Sequence, residues 1–323
     1  MTTYKEIFGK YVKNYSSDPT ADIEGQVWYN STSGTFKTNL VSLNVWSSGG
    51  NMGTPHTRFG GAGTATAALG FGGRTTPFPT FTASTEEYNG STWSPGGNMG
   101  TARYSMGSAG TQTAGLCMGG YVSPFGTAAT EEYDGSTWSP GGNMGSTAYL
   151  LTGCGTQTAG LGFGGYLFTA SPIFRNRTEE YDGSTWTNGG NLATARYNMG
   201  GAGTQTAGLA FGANAPSPST STEEYDGSAW TAGGNLNTAR GALAGAGTQT
   251  SALGFGSPSA TEKYDGTSWT NTTSMTTGRS SLSGAGTQAS ALGFGGYVPG
   301  TGAVTTTEEF EATLSSTKTI TTS

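Results

Sequence analysis

Histidine occurs once in 323 residues, cysteine twice, and charged side chains make up only 11%. Each scarcity excludes something. A single histidine, His56, cannot supply the several imidazoles of a copper centre. Cys117 and Cys154 occupy places that sister segments fill with Gly or Ala, so they read as small buried residues and not as a disulfide or metal pair. A net charge of −6 and a pI near 4.8 argue against a broad nucleic-acid surface, because neutralising phosphates takes clustered Lys and Arg. No run approaches the roughly 20 apolar residues of a membrane span, and MTTYKEIFGKYVKNY at the start lacks the apolar stretch of a secretory leader. The expectation is a protein made in a cytosol, with no membrane insertion and no nucleic-acid partner.

Glycine (57) and aromatics (7 Trp, 15 Tyr, 14 Phe) are plentiful, and the aromatics recur at fixed positions, as a packed core requires. Trp46, Trp93, Trp138, Trp186, Trp230 and Trp269 mark six units separated by 47, 45, 48, 44 and 39 residues. The segment between each GFGG-like element and the next EE or EK has 12, 10, 13, 9 and 4 residues, and removing it leaves 35 every time. All length variation therefore falls in one loop per unit.

Four strands per unit follow from the pattern. ARYSMG (102–107) leads through AGTQTAG (109–115) into LCMGG, and TEEYDGSTW then carries Asp134-Gly135, which predicts a tight type I′ hairpin with positive φ at both central residues. In the second strand Leu69 and Phe71 share one face while Ala68 and Gly70 share the other. One face supplies bulk and the other accepts it, which suits sheets stacked around an axis. Burying one Trp is worth at most roughly 4–6 kcal/mol at ~25 cal/mol/Å². A lone unit remains marginal because it cannot cover both faces.

Repeats of this length with four strands each predict an all-β fold, a six-bladed β-propeller whose closure removes exposed edges. Gly-Gly after the second strand, Tyr in the third and Trp in the fourth resemble the kelch repeat over residues 46–311, although the five residues from Tyr133 to Trp138 are fewer than kelch repeats usually have. The chain begins the array with an unpaired fourth strand, LVSLNVW (40–46), and ends it with an unpaired third strand, TTTEEFEA (305–312). Strand 40–46 should complete the sixth blade, with the terminal STKTITTS (316–323) as a competitor or an additional strand. The expected organisation is a segment at 1–39, a propeller at 40–313 and a tail at 314–323.

Alternation of strand direction gathers the variable loops on one face, where binding is usually built. The candidates there are Phe78, Phe81, Tyr121, Phe125, Tyr166, Phe168, Phe174, Arg175, Arg177 and Tyr297, which either bind a ligand or pin their own loops. His56, Arg103, Arg196, Arg240 and Arg279 recur at the start of the innermost strand, with Ala148 in the third unit. This basic ring either grips an anionic sugar or carboxylate or pairs with Glu86, Glu131, Glu179, Glu223, Glu262 and Glu308. Mutual repulsion across ~10 Å of water is only about 0.4 kcal/mol, so the ring needs no ligand to exist.

Catalysis and cofactors find little support. Copper oxidases on kelch-like propellers need several His. YDGSTW resembles a sialidase Asp box but is one residue short between Asp and Trp. Adjacent Glu residues on a strand face opposite ways and cannot act as an acid/base couple, and GAGTQTAG leads into strands with no helix to hold a phosphate.

GQVWYNSTSGTFK (25–37) predicts a hairpin, with Val27, Trp28 and Tyr29 in one strand, a turn from Asn30 to Gly34, and Phe36 in the return strand. Residues 4–37 resemble an N-terminal module of virion proteins of marine tailed phages, where it precedes kelch-like repeats close to NTARGALAGAGTQTSALGFG (237–256). That resemblance implies a non-enzymatic virion protein that forms a homo-oligomer, docks to other virion or assembly proteins through residues 1–39, and meets a host-surface glycan or protein with its variable-loop face. The alternatives are a purely structural decoration or filament protein and a glycan-active enzyme.

Overall fold

The computed structural model describes residues 12–17, 27–41, 44–76, 80–167, 174–214, 217–312 and 315–319. The described residues form strands and turns throughout, in an all-β, propeller-like architecture. The chain divides into two compact units, Met1–Val45 with Glu311–Ser323, and Trp46–Phe310.

In the first unit Lys13–Tyr15 runs parallel to Val27–Asn30, which pairs antiparallel with Thr35–Val41. Tyr29 faces Phe36 across this hairpin, with ring centroids 5.3 Å apart. Asn30 caps the turn, its Oδ1 accepting from the amides of Thr32 and Ser33. Ser315–Thr319 adds a strand alongside Thr35–Val41. The terminal segment therefore extends the N-terminal sheet and does not compete for the repeat array.

Among the described residues the second unit holds six four-stranded antiparallel sheets, five of them with their strands in chain order. The second sheet is representative: Gly107–Gly110, Gly115–Met118, Thr130–Tyr133 and Trp138–Pro140, with Tyr133 opposite Trp138. The sixth sheet takes three strands from the end of the array, Ser283–Gly286, Ser290–Phe294 and Thr307–Glu311, and its fourth from the beginning, Val45–Ser48. The strand expected at 40–46 is thus divided. Leu40 and Val41 belong to the N-terminal sheet, and only the segment from Val45 onward joins the sixth.

Neighbouring sheets mesh large side chains into small ones. Phe71 of the first sheet stacks 4.7 Å from Trp138 of the second. Leu69 lies so close to Gly115 that a methyl group there would meet its Cδ2 at 2.7 Å. Three polar contacts repeat at the junctions. The indole of Trp138 donates to Thr85 Oγ1 (2.9 Å), and that of Trp46 carries the same bond from the sixth sheet to Thr261 of the fifth (3.0 Å). Gln112 donates to the carbonyls of Ala68 (3.1 Å) and Tyr88 (2.6 Å), so the constant TQT is an inter-sheet staple as well as a turn. The first sheet has Ala65 at that place and lacks the staple toward the sixth. Finally, the hydroxyls of Tyr88, Tyr133, Tyr181, Tyr225 and Tyr264 donate to Glu309, Glu87, Glu132, Glu180 and Glu224 of the preceding sheets at 2.5–2.6 Å.

The Asp-Gly turns are not of type I′. Gly135 has φ 92°, but Asp134 is absent from the residues with positive φ, and four residues separate the paired Tyr133 and Trp138. Asp134 Oδ1 accepts from the amides of Ser136 (2.8 Å) and Thr137 (2.7 Å), an Asx-type turn that supplies the loop's acceptors itself. These bonds, with the Ser136 and Thr137 hydroxyls, hold its carboxyl well below the usual range. Cys117 and Cys154 are free, buried thiols pushed up to about 12 by desolvation, in keeping with small apolar core residues.

Candidate functional site

Five of the six third strands carry two adjacent glutamates whose side chains diverge, and the fifth carries Glu262 followed by Lys263. The second reaches the neighbouring tyrosine described above. The first turns inward to the arginine or histidine ahead of the innermost strand: Arg103 to Glu131, Arg196 to Glu223 (2.9 Å), Arg240 to Glu262 (3.0 Å), Arg279 to Glu308 (3.4 Å) and His56 to Glu86 (3.4 Å). The four arginines and His56 are at most 3% exposed. Arg196 also donates to the Gly212 and Ser221 carbonyls. Burial tends to raise the Glu86 carboxyl, but His56 and the amides of Gly53 and Thr54 outweigh it and leave the pKa lowered. The basic ring is therefore a set of buried clamps fixing the connection between sheets, and it presents no surface to an anionic sugar.

The third sheet has Ala148 where the others have a cation, yet its Glu179 is 1% exposed. The variable loop supplies the charge: Arg175 Nη2 lies 3.3 Å and Arg177 Nε 3.0 Å from Glu179 Oε1. Arg175 is itself buried and donates to the Thr147 carbonyl and the Ser146 hydroxyl. The two loop arginines thus substitute for the missing clamp, which removes Arg175 from the ligand-binding candidates and commits Arg177 in part.

Two residues beyond the clamp position, every unit places one residue in the left-handed region: Arg58, Ser105, Leu150, Asn198, Ala242 and Ser281, with φ of 53–58°. Strain of this kind persists only where the surroundings over-determine it. Here the cause is a circuit of main-chain hydrogen bonds. Ser105 N donates to Arg58 O (2.7 Å), Leu150 to Ser105, Asn198 to Leu150, Ala242 to Asn198 and Ser281 to Ala242, and Arg58 N donates back to Ser281 O (2.9 Å).

The residue between clamp and circuit is Thr57, Tyr104, Tyr149, Tyr197, Gly241 or Ser280. It pairs through the main chain with the first residue of the variable loop, as in Thr57 with Arg74, Tyr104 with Tyr121, Tyr149 with Tyr166, and Ser280 with Tyr297. Side chains from frame and loop consequently meet at the mouth of this face. Phe81, Tyr104, Tyr121, Tyr149, Tyr166 and Tyr197 form a continuous arc with successive centroids 4.9, 5.1, 5.6, 5.1 and 5.8 Å apart. Phe174 leans on both Tyr166 and Tyr197. All seven rings are partly exposed. Desolvation followed by the neighbouring phenols pushes Tyr149 up to about 12.

At the open end of the arc a cavity of ≈ 340 Å³ is lined by Thr57, Arg58, Arg74, Ser280, Ser281 and Tyr297. The Arg74 guanidinium lies over the Tyr104 ring, 5.0 Å from its centroid. Of the sequence candidates, Phe81, Tyr121, Tyr166 and Phe174 join the arc and Tyr297 the cavity. Phe125 is half exposed on a two-stranded flap, opposite Val122. Phe78 and Phe168 lie outside the described residues. Sequence reasoning missed Tyr104, Tyr149, Tyr197, Arg58 and Arg74. Among the described residues no group of three or more His, Cys, Asp or Glu is arranged to hold a metal.

No protein-family model and no curated protein matches the chain. Among solved structures, one described as "Structure of YjhT" is similar in fold with a TM-score of 0.66 at 11% identity, over 84% of this chain and 100% of that one. At that identity the likeness concerns architecture alone.

Proposed function

We propose that Trp46–Phe310 is a closed, six-bladed, kelch-like propeller, and that the protein is a non-enzymatic virion structural component whose variable-loop face binds a host-surface glycan. Residues 1–39 dock it to the particle, where it acts as a homo-oligomer. Closure is supported by the hydrogen-bond circuit that returns to Arg58 and by the strand lent to the sixth sheet from Val45–Ser48. The observation that carries the binding role is the arc of seven partly exposed rings, because sugars pack their C–H faces on aromatic side chains while hydroxyls bond to phenols at the edges. A role without catalysis is supported by the fate of the paired carboxylates: the first of each pair is held in a clamp, and most of the second bond a tyrosine of the next sheet. The test is a glycan array probed with the full chain and with Tyr104→Ala/Tyr149→Ala. The parent protein retains a defined saccharide class and the variant loses it at unchanged thermal stability. Equal retention by both proteins, or none by the parent, refutes the reading.

A further inference from the structure

The chain has eight arginines, and six of them pair with glutamates inside the sheets. Arg58 and Arg74 both line the cavity beside the arc, and none of the described residues lining it is acidic. Two guanidinium groups thus border one space in a protein of net charge −6. Arg58 is exposed at the mouth, yet desolvation by the surrounding walls and then the charge of Arg74 hold its pKa below the ordinary arginine value. An anion between the two guanidinium groups relieves that repulsion, and a guanidinium matches the paired oxygens of a carboxylate or sulfate. Thr57, Ser280, Ser281 and Tyr297 add hydroxyl groups around the same space. Its ≈ 340 Å³ is near the lower bound of small-molecule pockets, roughly 300–1,000 Å³, and suits a single sugar residue. The stacking of Arg74 on Tyr104 joins this cavity to the first rings of the arc, so a ligand held here continues onto Tyr104 and Phe81.

We infer that the Arg58–Arg74 cavity is the subsite for the acid group of an acidic saccharide, a carboxylate or sulfate ester, whose sugar chain runs along the aromatic arc. This rests on the glycan-binding reading above and adds the charge class of the ligand.

The experiment measures binding of the full chain to two acidic probes, oligogalacturonate and a sulfated carrageenan oligosaccharide, and to their uncharged counterparts, methyl-esterified oligogalacturonate and an agarose oligosaccharide. At least one acidic probe should bind about tenfold or more tightly than its counterpart, in the range expected of hydrogen bonds to a charged group. That preference should shrink as salt is raised. Arg58→Gln and Arg74→Gln should each abolish it, read as the ratio of acidic to uncharged binding, so that loss of the Arg74 contact with the Tyr104 ring affects both arms alike. Which acidic arm responds separates carboxylate from sulfate. Equal binding of acidic and uncharged probes, or a preference that survives both substitutions, overturns the inference and leaves the glycan reading intact. Failure of all four probes overturns the inference, and an array on which no glycan is retained removes the underlying reading with it.

Discussion

Arg175→Ala separates a structural arginine from a ligand-binding one. Its carboxylate, Glu179, is buried and also accepts from the Gly145 amide at 2.6 Å. Stripping the cation from a buried ion pair usually costs about 3–5 kcal/mol, most of it the penalty of a charge left without its partner. Arg177 remains 3.0 Å from the same oxygen, so it can hold part of the interaction. The expected loss is therefore about 1–3 kcal/mol, whereas Arg196→Ala, whose Glu223 has one guanidinium and which also frees two carbonyls, should lose about 3–5 kcal/mol. At roughly 2–4 °C per kcal/mol for a chain of this order, the two variants should be distinguishable by calorimetry and denaturant titration. Returning a cation to the vacant clamp, with Ala148→Arg in the Arg175→Ala background, should recover most of the loss. The reasoning is refuted if Arg175→Ala is as costly as Arg196→Ala, or if it leaves stability intact and abolishes saccharide binding.

Two other perturbations probe the junctions between sheets. Desolvation, reinforced by the glutamate acceptors, pushes Tyr88, Tyr133, Tyr181, Tyr225 and Tyr264 up to about 12. An unfolded tyrosine titrates near 10. Their contribution is complete below pH ~10, and between about pH 10 and 12 the unfolded chain has lost protons that the folded chain keeps, so stability must fall as pH rises. Denaturant titrations across that window should show the decline, and Tyr133→Phe should make it shallower; a flat profile contradicts the assignment. The fifth junction differs because Lys263 replaces glutamate and Phe310 replaces tyrosine, with the ammonium 5.4 Å from the ring centroid. Lys263→Glu alone should cost about 1 kcal/mol, and adding Phe310→Tyr should restore it by rebuilding the pair of the other junctions. A double-mutant cycle with no favourable coupling argues against the exchange.

The unequal legibility of this molecule follows from where each property is decided. Strand positions and the single variable loop per unit could be read from spacing because the 35-residue frame repeats its contacts as well as its lengths. The Gln of TQT and the Glu-Glu pair each recur in five units because the side chains meet an adjacent sheet or a clamp, with Ala65 and Lys263 as the exceptions. Asp134-Gly135 misled because two turn chemistries share one dipeptide signal, and the Asx bonds to Ser136 and Thr137 outcompete the two positive φ angles of a type I′ turn. The basic ring was undecided in sequence, since identical residues serve a clamp or a ligand and burial alone separates the two. One clue was nevertheless present: Ala148 vacates the clamp in the only unit whose variable loop carries arginines immediately before its glutamates. The same logic locates the site. Variation was sought where chain length changes, but the position after the clamp also varies, through Thr57, Tyr104, Tyr149, Tyr197, Gly241 and Ser280, while its neighbours on both sides stay under structural constraint. The circuit position beside it varies too, but there the main chain alone is fixed; at the position between clamp and circuit Tyr104, Tyr149 and Tyr197 are partly exposed and join the rings of three variable loops into one continuous aromatic surface.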